Sequence, residues 1–229
     1  MNINEKKEKS MEKILKEFKV FFDEENKEKA VKYIMEKLES KQIDVITLYS
    51  KILTPLLNNL QCDLDDKKIC IWKEHVKTGI VRTIVECAYP YVIEMRDSLN
   101  KKKKGTAAVL CPPEEYHDLG ARMVADFFTI SGYNTIFVGS NTPYRDFYNA
   151  VDYIKPDIVA ISVSNYYHLV AAKRMVEDLK KTVNGKLKIV VGGYAFAGDE
   201  ENKIKQVGAD YFAKSYEDIL NIDSEEVAL

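Results

Sequence analysis

One histidine, His117, is placed where it could act as a ligand. It follows a hydrophobic run and two prolines in the segment 111–128, CPPEEYHDLGARMVADFF. Glu115 precedes it by two residues, Gly120 follows it by three, and the whole chain has only three histidines. A carboxylate beside an imidazole can accept one ring N–H, which fixes the tautomer and makes the other nitrogen more basic, as at metal-bound histidines. One histidine without a cysteine cluster leaves a bare zinc ion short of ligands. A metal held in a macrocycle needs only one axial ligand, which His117 could supply. The alternative interpretation of His117 is a surface residue with no chemical role.

Composition argues against several other functions. The chain has 229 residues, and its 34 basic and 36 acidic side chains give a net charge of −2, which does not suggest a dedicated nucleic-acid binder. No stretch approaches the ~20 apolar residues of a membrane span, and the N-terminus lacks the apolar region of a secretory signal. Cys62, Cys70, Cys87 and Cys111 show neither CxxC nor metal-ligand spacing. They predict reduced, mostly buried thiols in a cytoplasmic protein.

The first hundred residues have a helical period throughout. Apolar residues recur every three or four positions in MEKILKEFKVFF, EKAVKYIMEKLES, IDVITLYSKILTPLLNNL and KKICIWKEHVKTGIVRTIVECAYPYVIEMRDSL. Four amphipathic helices joined by short polar links predict a four-helix bundle over residues 1–100. Pro55 predicts a kink in the third helix, and Pro90 predicts a kink or break in the fourth.

The second half of the chain has a different pattern, which begins after the polar run NKKKKG at 100–105. That run is interpreted as an exposed linker, with a nucleic-acid contact as the less favoured alternative. TAAVLC, NTIFVG, DIVAISV and KIVVGG are continuous apolar runs, typical of parallel strands buried on both faces. Helical patterns separate them, and VGADYFAKSYEDIL adds a weak fifth strand and a closing helix. The sequence predicts a doubly wound, parallel five-stranded sheet of the flavodoxin or Rossmann-like kind over residues 105–229.

Candidate binding residues fall at the carboxyl ends of these strands, where sheets of this class bind their ligands. GxGxxG and GxxxxGK[ST] are missing from the sequence, so dinucleotide and P-loop sites are not supported. Ser162 and Ser164 could cap the third strand or hydrogen-bond a heteroaromatic nitrogen. Gly192 and Gly193 could end a strand at a turn or let a flat ligand approach the backbone. The candidates on this edge are His117, Gly139, Ser162, Gly192 and Gly193.

Three of these motifs together resemble the signature of cobalamin-binding domains, D/ExHxxG, SxL and GG. The matching residues are Glu115-x-His117-x-x-Gly120, Ser162-x-Ser164 and Gly192-Gly193. Glu115 stands where the family more often has Asp, and Ser164 stands where it usually has Leu. The upstream bundle is similar to the cap of methionine-synthase-like proteins, so the resemblance covers nearly the whole chain.

This resemblance implies a role for each motif. His117 would displace the cofactor's own base and ligate cobalt from below, with Glu115 orienting it. The nucleotide tail would lie between Ser162 and Gly192–Gly193, and Gly120 would let the next helix begin close to the corrin. Three other residues of the same edge are interpreted as corrin or loop contacts: Gly139, Asn141 and Thr142. Asp118 is interpreted as a first-turn carboxylate that the helix dipole favours.

Three aromatic residues after the third strand are given structural roles. His168 is interpreted as a surface residue at a helix start rather than a ligand. For Tyr166 and Tyr167, core packing is favoured over contact with the nucleotide tail.

The fourth helix carries a second candidate pair, Glu74 and His75, in WKEHVKTG (72–79). Composition alone would make this pair a solvated surface. It resembles the Glu-His pair of light-sensing cobalamin-dependent repressors, in which the glutamate lies by the adenosyl group and the histidine can bind cobalt after photolysis. Leu64 occupies the position of that family's tryptophan. The loop around His117 and the stretch GYAF (193–196) also resemble the sensors, whereas methyl carriers usually read GDxHDIGK.

The preferred interpretation is a non-catalytic cobalamin sensor that binds adenosylcobalamin, responds to light and acts through a protein partner such as a transcription regulator. A partner is expected because the chain begins at the bundle, without the winged helix-turn-helix of the repressors. The alternatives are a methylcobalamin-bearing corrinoid carrier that serves a methyltransferase, a cobalamin storage or transfer protein, and a cofactor-free interaction module. Neither membrane nor direct nucleic-acid binding is expected, and homo-oligomerisation is left open.

Overall fold

The computed structural model describes residues 3–60, 69–183 and 187–222. The chain divides into two compact units, Met1–Tyr91 and Val92–Leu229. The first unit is helical, and its elements are α1 (Ile3–Asp23), α2 (Lys27–Glu39), α3 and the larger part of α4 (Cys70–Leu99). Helix α3 begins as Val45–Thr47, continues as the π-helical stretch Leu48–Leu53 and ends as Thr54–Asn58. The division between the units falls directly after Pro90, inside α4.

Each helix of the first unit buries the apolar stripe that the sequence pattern indicates. Phe18 and Phe22 of α1, Ile34 of α2 and Ile52 of α3 are buried. Asn26 begins α2, where its side chain accepts a hydrogen bond from the backbone N–H of Lys29. Burying an aromatic or aliphatic side chain of this size contributes roughly 1.5–3 kcal/mol, so the stripes rather than helix propensity hold these helices in place.

The two prolines have different consequences. Ahead of Pro55, which lacks an N–H, the backbone N–H of Thr54 donates to the carbonyl of Tyr49, five residues earlier. The predicted irregularity in α3 therefore takes the form of a π-helical stretch. Helix α4 continues through Pro90, so of the predicted kink or break the break does not occur. Buried Val85 and Val92 on either side of the proline supply packing that offsets the lost hydrogen bond.

The second unit contains the predicted parallel sheet. Its strands are β1 (Thr106–Leu110), β2 (Asn134–Gly139), β3 (Ile158–Ser162), β4 (Lys188–Gly192) and β5 (Tyr211–Phe212). The order is β2-β1-β3-β4-β5, and all the pairings are parallel. This is the flavodoxin-like arrangement, in which the strand order reverses between β1 and β3. The predicted fold class is confirmed.

Helices connect the strands and cover the sheet. Val159, Ile161 and Val191 of the strands belong to one hydrophobic core with Met175 and Phe196. The last described helix, Tyr216–Asn221, begins at a capping box formed by Ser215 and Asp218. The helices are α5 (Leu119–Ile130), α6 (Tyr144–Ile154), α7 (Leu169–Thr182), α8 (Glu200–Val207) and α9 (Tyr216–Asn221), with 3₁₀ turns at Tyr166–His168 and Tyr194–Phe196.

The cysteines only partly match the prediction of reduced, buried thiols. Cys111 is free and buried, and Cys87 is free but exposed. Cys70 is disulfide-bonded, so the prediction is wrong there; sequence spacing does not reveal which thiols come within bonding distance. Cys62 lies outside the described residues.

The length and hydropathy of the helices bear on whether any of them could span a membrane. Over residues 3–60, 69–183 and 187–222, none of the helices combines the length and apolar character that a bilayer span requires.

Candidate functional site

The loops that follow β1 and β3 meet around the carboxylate of Glu115, which is 0% exposed. Its Oε1 atom accepts the backbone N–H of His117 at 3.1 Å and lies 2.6 Å from the ring Nδ1 of His117. Its Oε2 atom accepts the backbone N–H groups of Ser164 at 3.0 Å and Asn165 at 2.9 Å. The Nδ1 atom of His168 lies 3.0 Å from the same oxygen. One buried carboxylate therefore ties together two loops and two imidazoles.

Glu115 is ionised at neutral pH. Burial by itself raises the pKa of a carboxyl group, but the N–H of Asn165 and the donors of His168 and His117 outweigh burial and lower the Glu115 pKa to about 2. An ionised carboxylate only accepts hydrogen bonds, so the Nδ1 atoms of both histidines carry protons. The Nε2 atom of a neutral His117 ring then keeps its electron pair. The side chain of His117 is 60% exposed, which makes this nitrogen accessible to a ligand.

The loop after β2 supports the same constellation. The backbone N–H of Asn141 donates to the carbonyl of Glu115 at 3.0 Å, and its side-chain Oδ1 accepts the N–H of Glu114 at 2.9 Å. The carbonyl of Gly139 accepts the N–H of Cys111 at 2.9 Å. Thr142 is buried, and its hydroxyl lies 3.5 Å from the same carbonyl. The structure therefore places these predicted residues as supports of the loop that carries Glu115.

The glycines separate into two groups. A Cβ atom on Gly192 would lie 2.2 Å from the carbonyl oxygen of Ala213, and one on Gly193, at φ +108°, would lie 2.3 Å from that of Val163. Packing at the strand ends therefore accounts for both residues without a ligand. Gly120 is different, because a Cβ atom there would meet nothing within 4 Å and its φ is not positive. The missing side chain of Gly120 leaves open space on the surface of α5.

The remaining predicted residues of the second unit lie around the same edge. Ser162 is half-buried and pairs with Gly192 across β3 and β4. The hydroxyl of Ser164 donates to the carbonyl of His117 at 3.4 Å, which adds a further link between the two loops. Asp118 is buried at the N-cap position of α5, as expected of a carboxylate at a helix start.

Aromatic side chains surround this edge and remain in solvent. Tyr116, Tyr166, Tyr167 and Tyr194 are each more than half exposed. The predicted core packing of Tyr166 and Tyr167 is wrong, because they belong to an exposed turn in which their ring centroids lie 3.9 Å apart. A set of exposed rings on loops after β1, β3 and β4 is a surface suited to a large flat ligand.

His168 belongs to the same cluster, and sequence reasoning missed its contact with Glu115. Interpreted as a surface residue, it is instead 21% exposed and bound to Glu115. Its place in the loop after β3, a strand that borders the reversal of strand order, was the signal that could have found it.

The predicted residues of the first unit are exposed. Glu74 and His75 lie on α4 and are both solvent-accessible. Leu64 lies outside the described residues.

Comparison with known proteins identifies the domain. The family model of the B12 binding domain matches residues 105–220, which contain Glu115, His117 and His168. The chain belongs to the B12-binding domain family. It is therefore a cobalamin-binding protein, as the three-part motif indicates.

Relatives of this B12-binding domain protein include corrinoid proteins and a repressor. Trimethylamine corrinoid protein 1 of Methanosarcina mazei is 29% identical over 121 residues, 52% of this chain and 55% of that protein. The HTH-type transcriptional repressor CarA of Myxococcus xanthus is 25% identical over 181 residues, 79% of this chain and 58% of that protein. The chain spans about half the length of the curated relatives it matches.

A solved structure shares the fold. The monomethylamine corrinoid protein of Methanosarcina barkeri superposes with a TM-score of 0.76 at 14% identity, covering 93% of this chain and 97% of that one. The helices followed by a parallel sheet are thus a known arrangement.

The side chains of the B12-binding domain fit such a cofactor better than a bare ion. Within the described residues, no group of three or more His, Cys, Asp or Glu side chains could hold a metal ion. A single exposed imidazole with Nδ1 fixed by a carboxylate suits a metal that already has equatorial ligands. The open space at Gly120 and the exposed tyrosines provide room and apolar contact for a macrocycle.

Proposed function

We propose that this chain is a corrinoid carrier protein that delivers a methyl group within a methyltransferase system, with His117 as the lower axial ligand of cobalt. The observation that carries the proposal is the similarity of the B12-binding half to trimethylamine corrinoid proteins, 29% and 30% identical over 121 and 118 residues. The carrier function is proposed ahead of the light sensor that the sequence motifs favoured, because these relatives are named trimethylamine corrinoid proteins.

The proposed roles follow from the geometry around Glu115. Glu115 holds the Nδ1 proton of His117 and so directs the Nε2 electron pair away from the protein. The backbone N–H groups of Ser164 and Asn165 fix the other carboxylate oxygen, which keeps the orientation of the His117 ring constant. When bound, cobalamin supplies a cobalt centre that accepts and releases a methyl group. The chain itself binds and orients that centre, and the methyltransferase is a separate protein.

The carrier function is tested by methyl transfer. The full chain is loaded with methylcobalamin in the dark, and an anaerobic extract of the source organism and a thiol acceptor are added. Absorbance measures the loss of the bound methyl group. We expect the rate of this loss to rise with the concentration of this chain and to exceed the rate of loss from free methylcobalamin. Transfer no faster than from the free cofactor would contradict the proposal.

A cobalamin-dependent light sensor is the second candidate, and the match to CarA favours it because that match covers 79% of the chain. The Glu74 and His75 pair supports the same candidate. The chain has only three histidines, so with His117 below cobalt a second imidazole ligand can come only from His75 or His168.

Illumination of the adenosylcobalamin complex separates the two candidates. For a carrier we expect the wild type and His75→Ala to give the same spectrum after green light, with water above cobalt. A stable bis-histidine spectrum in the wild type and in His168→Ala, lost in His75→Ala, would favour the sensor.

Gly120→Ala tests whether the open space on α5 serves the cofactor. Replacing a helical glycine by alanine should raise the free energy of unfolding of the cofactor-free protein by about 0.5 kcal/mol. The added methyl group should weaken methylcobalamin binding about tenfold, because it intrudes on a surface packed against the corrin. Chemical denaturation and an absorbance titration measure the two effects, and unchanged affinity would contradict a corrin contact at Gly120.

A further inference from the structure

His168 is the second imidazole on the carboxylate of Glu115. Its Nδ1 atom lies 3.0 Å from Oε2, while the Nδ1 atom of His117 lies 2.6 Å from Oε1. Its side chain is 21% exposed, compared with 60% for His117. A largely buried ring that faces a buried carboxylate is placed to hold that carboxylate, whereas the exposed ring is placed to reach a ligand.

The backbone around His168 fixes the position of its ring. The side chain of Asn165 accepts the N–H of Tyr167 at 3.1 Å, and the carbonyl of Asn165 accepts the N–H of His168 at 3.0 Å. This closes the 3₁₀ turn Tyr166–His168, from which α7 continues at Leu169. The turn thereby brings the His168 ring to the same oxygen that accepts the N–H groups of Ser164 and Asn165.

We propose that His168 is a positioning residue for the cobalt ligand and acts through Glu115. By donating to Oε2, His168 holds the carboxylate in the rotamer that points Oε1 at the His117 ring. The orientation of His117 and the electron density on its Nε2 atom then depend on His168, although the two rings share no direct hydrogen bond among the described contacts. This inference rests on the proposed ligation of cobalt by His117.

The inference is tested with His168→Ala and His168→Asn in the full chain. An asparagine amide can donate from nearly the position of Nδ1, so it should restore what alanine removes. Loss of an outer hydrogen-bond partner of a metal ligand typically lowers affinity 10–100-fold. We expect roughly tenfold weaker methylcobalamin binding for His168→Ala. In the cobalt(II) form, the electron paramagnetic resonance splitting from one axial nitrogen should weaken for this variant. His168→Asn should approach the wild type in both affinity and nitrogen splitting. Lys173→Ala, on the exposed side of α7, should match the wild type in both quantities.

The outcomes separate this inference from the proposed ligation. The cobalt(II) spectra are recorded with cobinamide, which has no base of its own to bind cobalt, so nitrogen splitting that persists in His117→Ala would overturn both proposals. Wild-type affinity and full splitting in His168→Ala, with the splitting lost in His117→Ala, would overturn the role of His168 alone. If circular dichroism shows that His168→Ala does not fold, His168→Asn decides: folded protein with the splitting supports the donor role, and folded protein without it overturns that role.

Discussion

Replacing His117 with alanine is expected to abolish the proposed bond between the protein and cobalt. The exposed ring is the group on this edge whose Nδ1 atom is held at 2.6 Å by a buried carboxylate while its Nε2 atom is accessible. Without it, bound methylcobalamin should keep its own base on the metal or have no lower ligand. We expect affinity to fall by more than about 100-fold, beyond the usual effect of outer-shell partners. Absorbance spectra of the complex in the dark show whether cobalt has a lower nitrogen ligand, and an absorbance titration measures the loss of affinity.

The fold of the cofactor-free His117→Ala protein should survive. Glu115 would still accept the N–H groups of Ser164 and Asn165 and the ring of His168. His75→Ala is the matched histidine control, because His75 is exposed on α4 in the other compact unit and the methyl group of methylcobalamin would hold the upper ligand position of cobalt. A His117→Ala complex with the wild-type spectrum and affinity would refute ligation by His117.

The sheet could be predicted from the sequence because its central strands, β1, β3 and β4, are buried on both faces. The run IVAI at 158–161 leaves no polar residue for a solvent face, which is typical of a strand in a parallel sheet. The observed β3, Ile158–Ser162, contains that run. The break expected at Pro90 did not follow, because the packing of Val85 and Val92 is a tertiary effect that local rules do not contain.

The candidate site was predictable where spacing along the chain carries the chemistry. Glu115 and His117 are two residues apart, and their contact follows from one loop. His168 lies 53 positions from Glu115, and only the β1–β3 adjacency brings them together. The need for glycine at 192 and 193 likewise arises from the carbonyls of Ala213 and Val163, which belong to other segments. Long-range contacts of this kind have no local sequence signal.

Replacing Glu115 with glutamine is expected to cause the largest loss of stability in the cofactor-free protein. Both carboxylate oxygens face N–H donors only, so either orientation of the amide turns its NH₂ group towards buried donors. The Glu115 pKa is about 2 in the folded protein, against an ordinary value of 4.5. That difference corresponds to stabilisation on the order of 3 kcal/mol at neutral pH.

The charge of Glu115 gives this loss a specific pH dependence. A carboxylate with a lowered pKa stabilises the fold fully above its unfolded value of 4.5, and the contribution disappears as the pH falls through about 2. The gap in unfolding free energy between the wild type and Glu115→Gln should therefore be full at pH 7 and shrink as the pH falls below 4.5. Urea denaturation of both proteins across this range measures the gap. The effects of acid on the other titratable groups are common to both proteins and cancel in the comparison.

Glu114→Gln provides the matched control for this prediction. Glu114 precedes Glu115 in the same loop, but its side chain is exposed, so its replacement should leave unfolding nearly unchanged at every pH. A gap for Glu115→Gln that stays constant down to about pH 3 would mean that shape rather than charge makes Glu115 necessary. A difference in unfolding free energy that shrinks with falling pH would identify the ionised carboxylate as the group that joins the two loops. The same carboxylate would then be the group that orients the His117 ring.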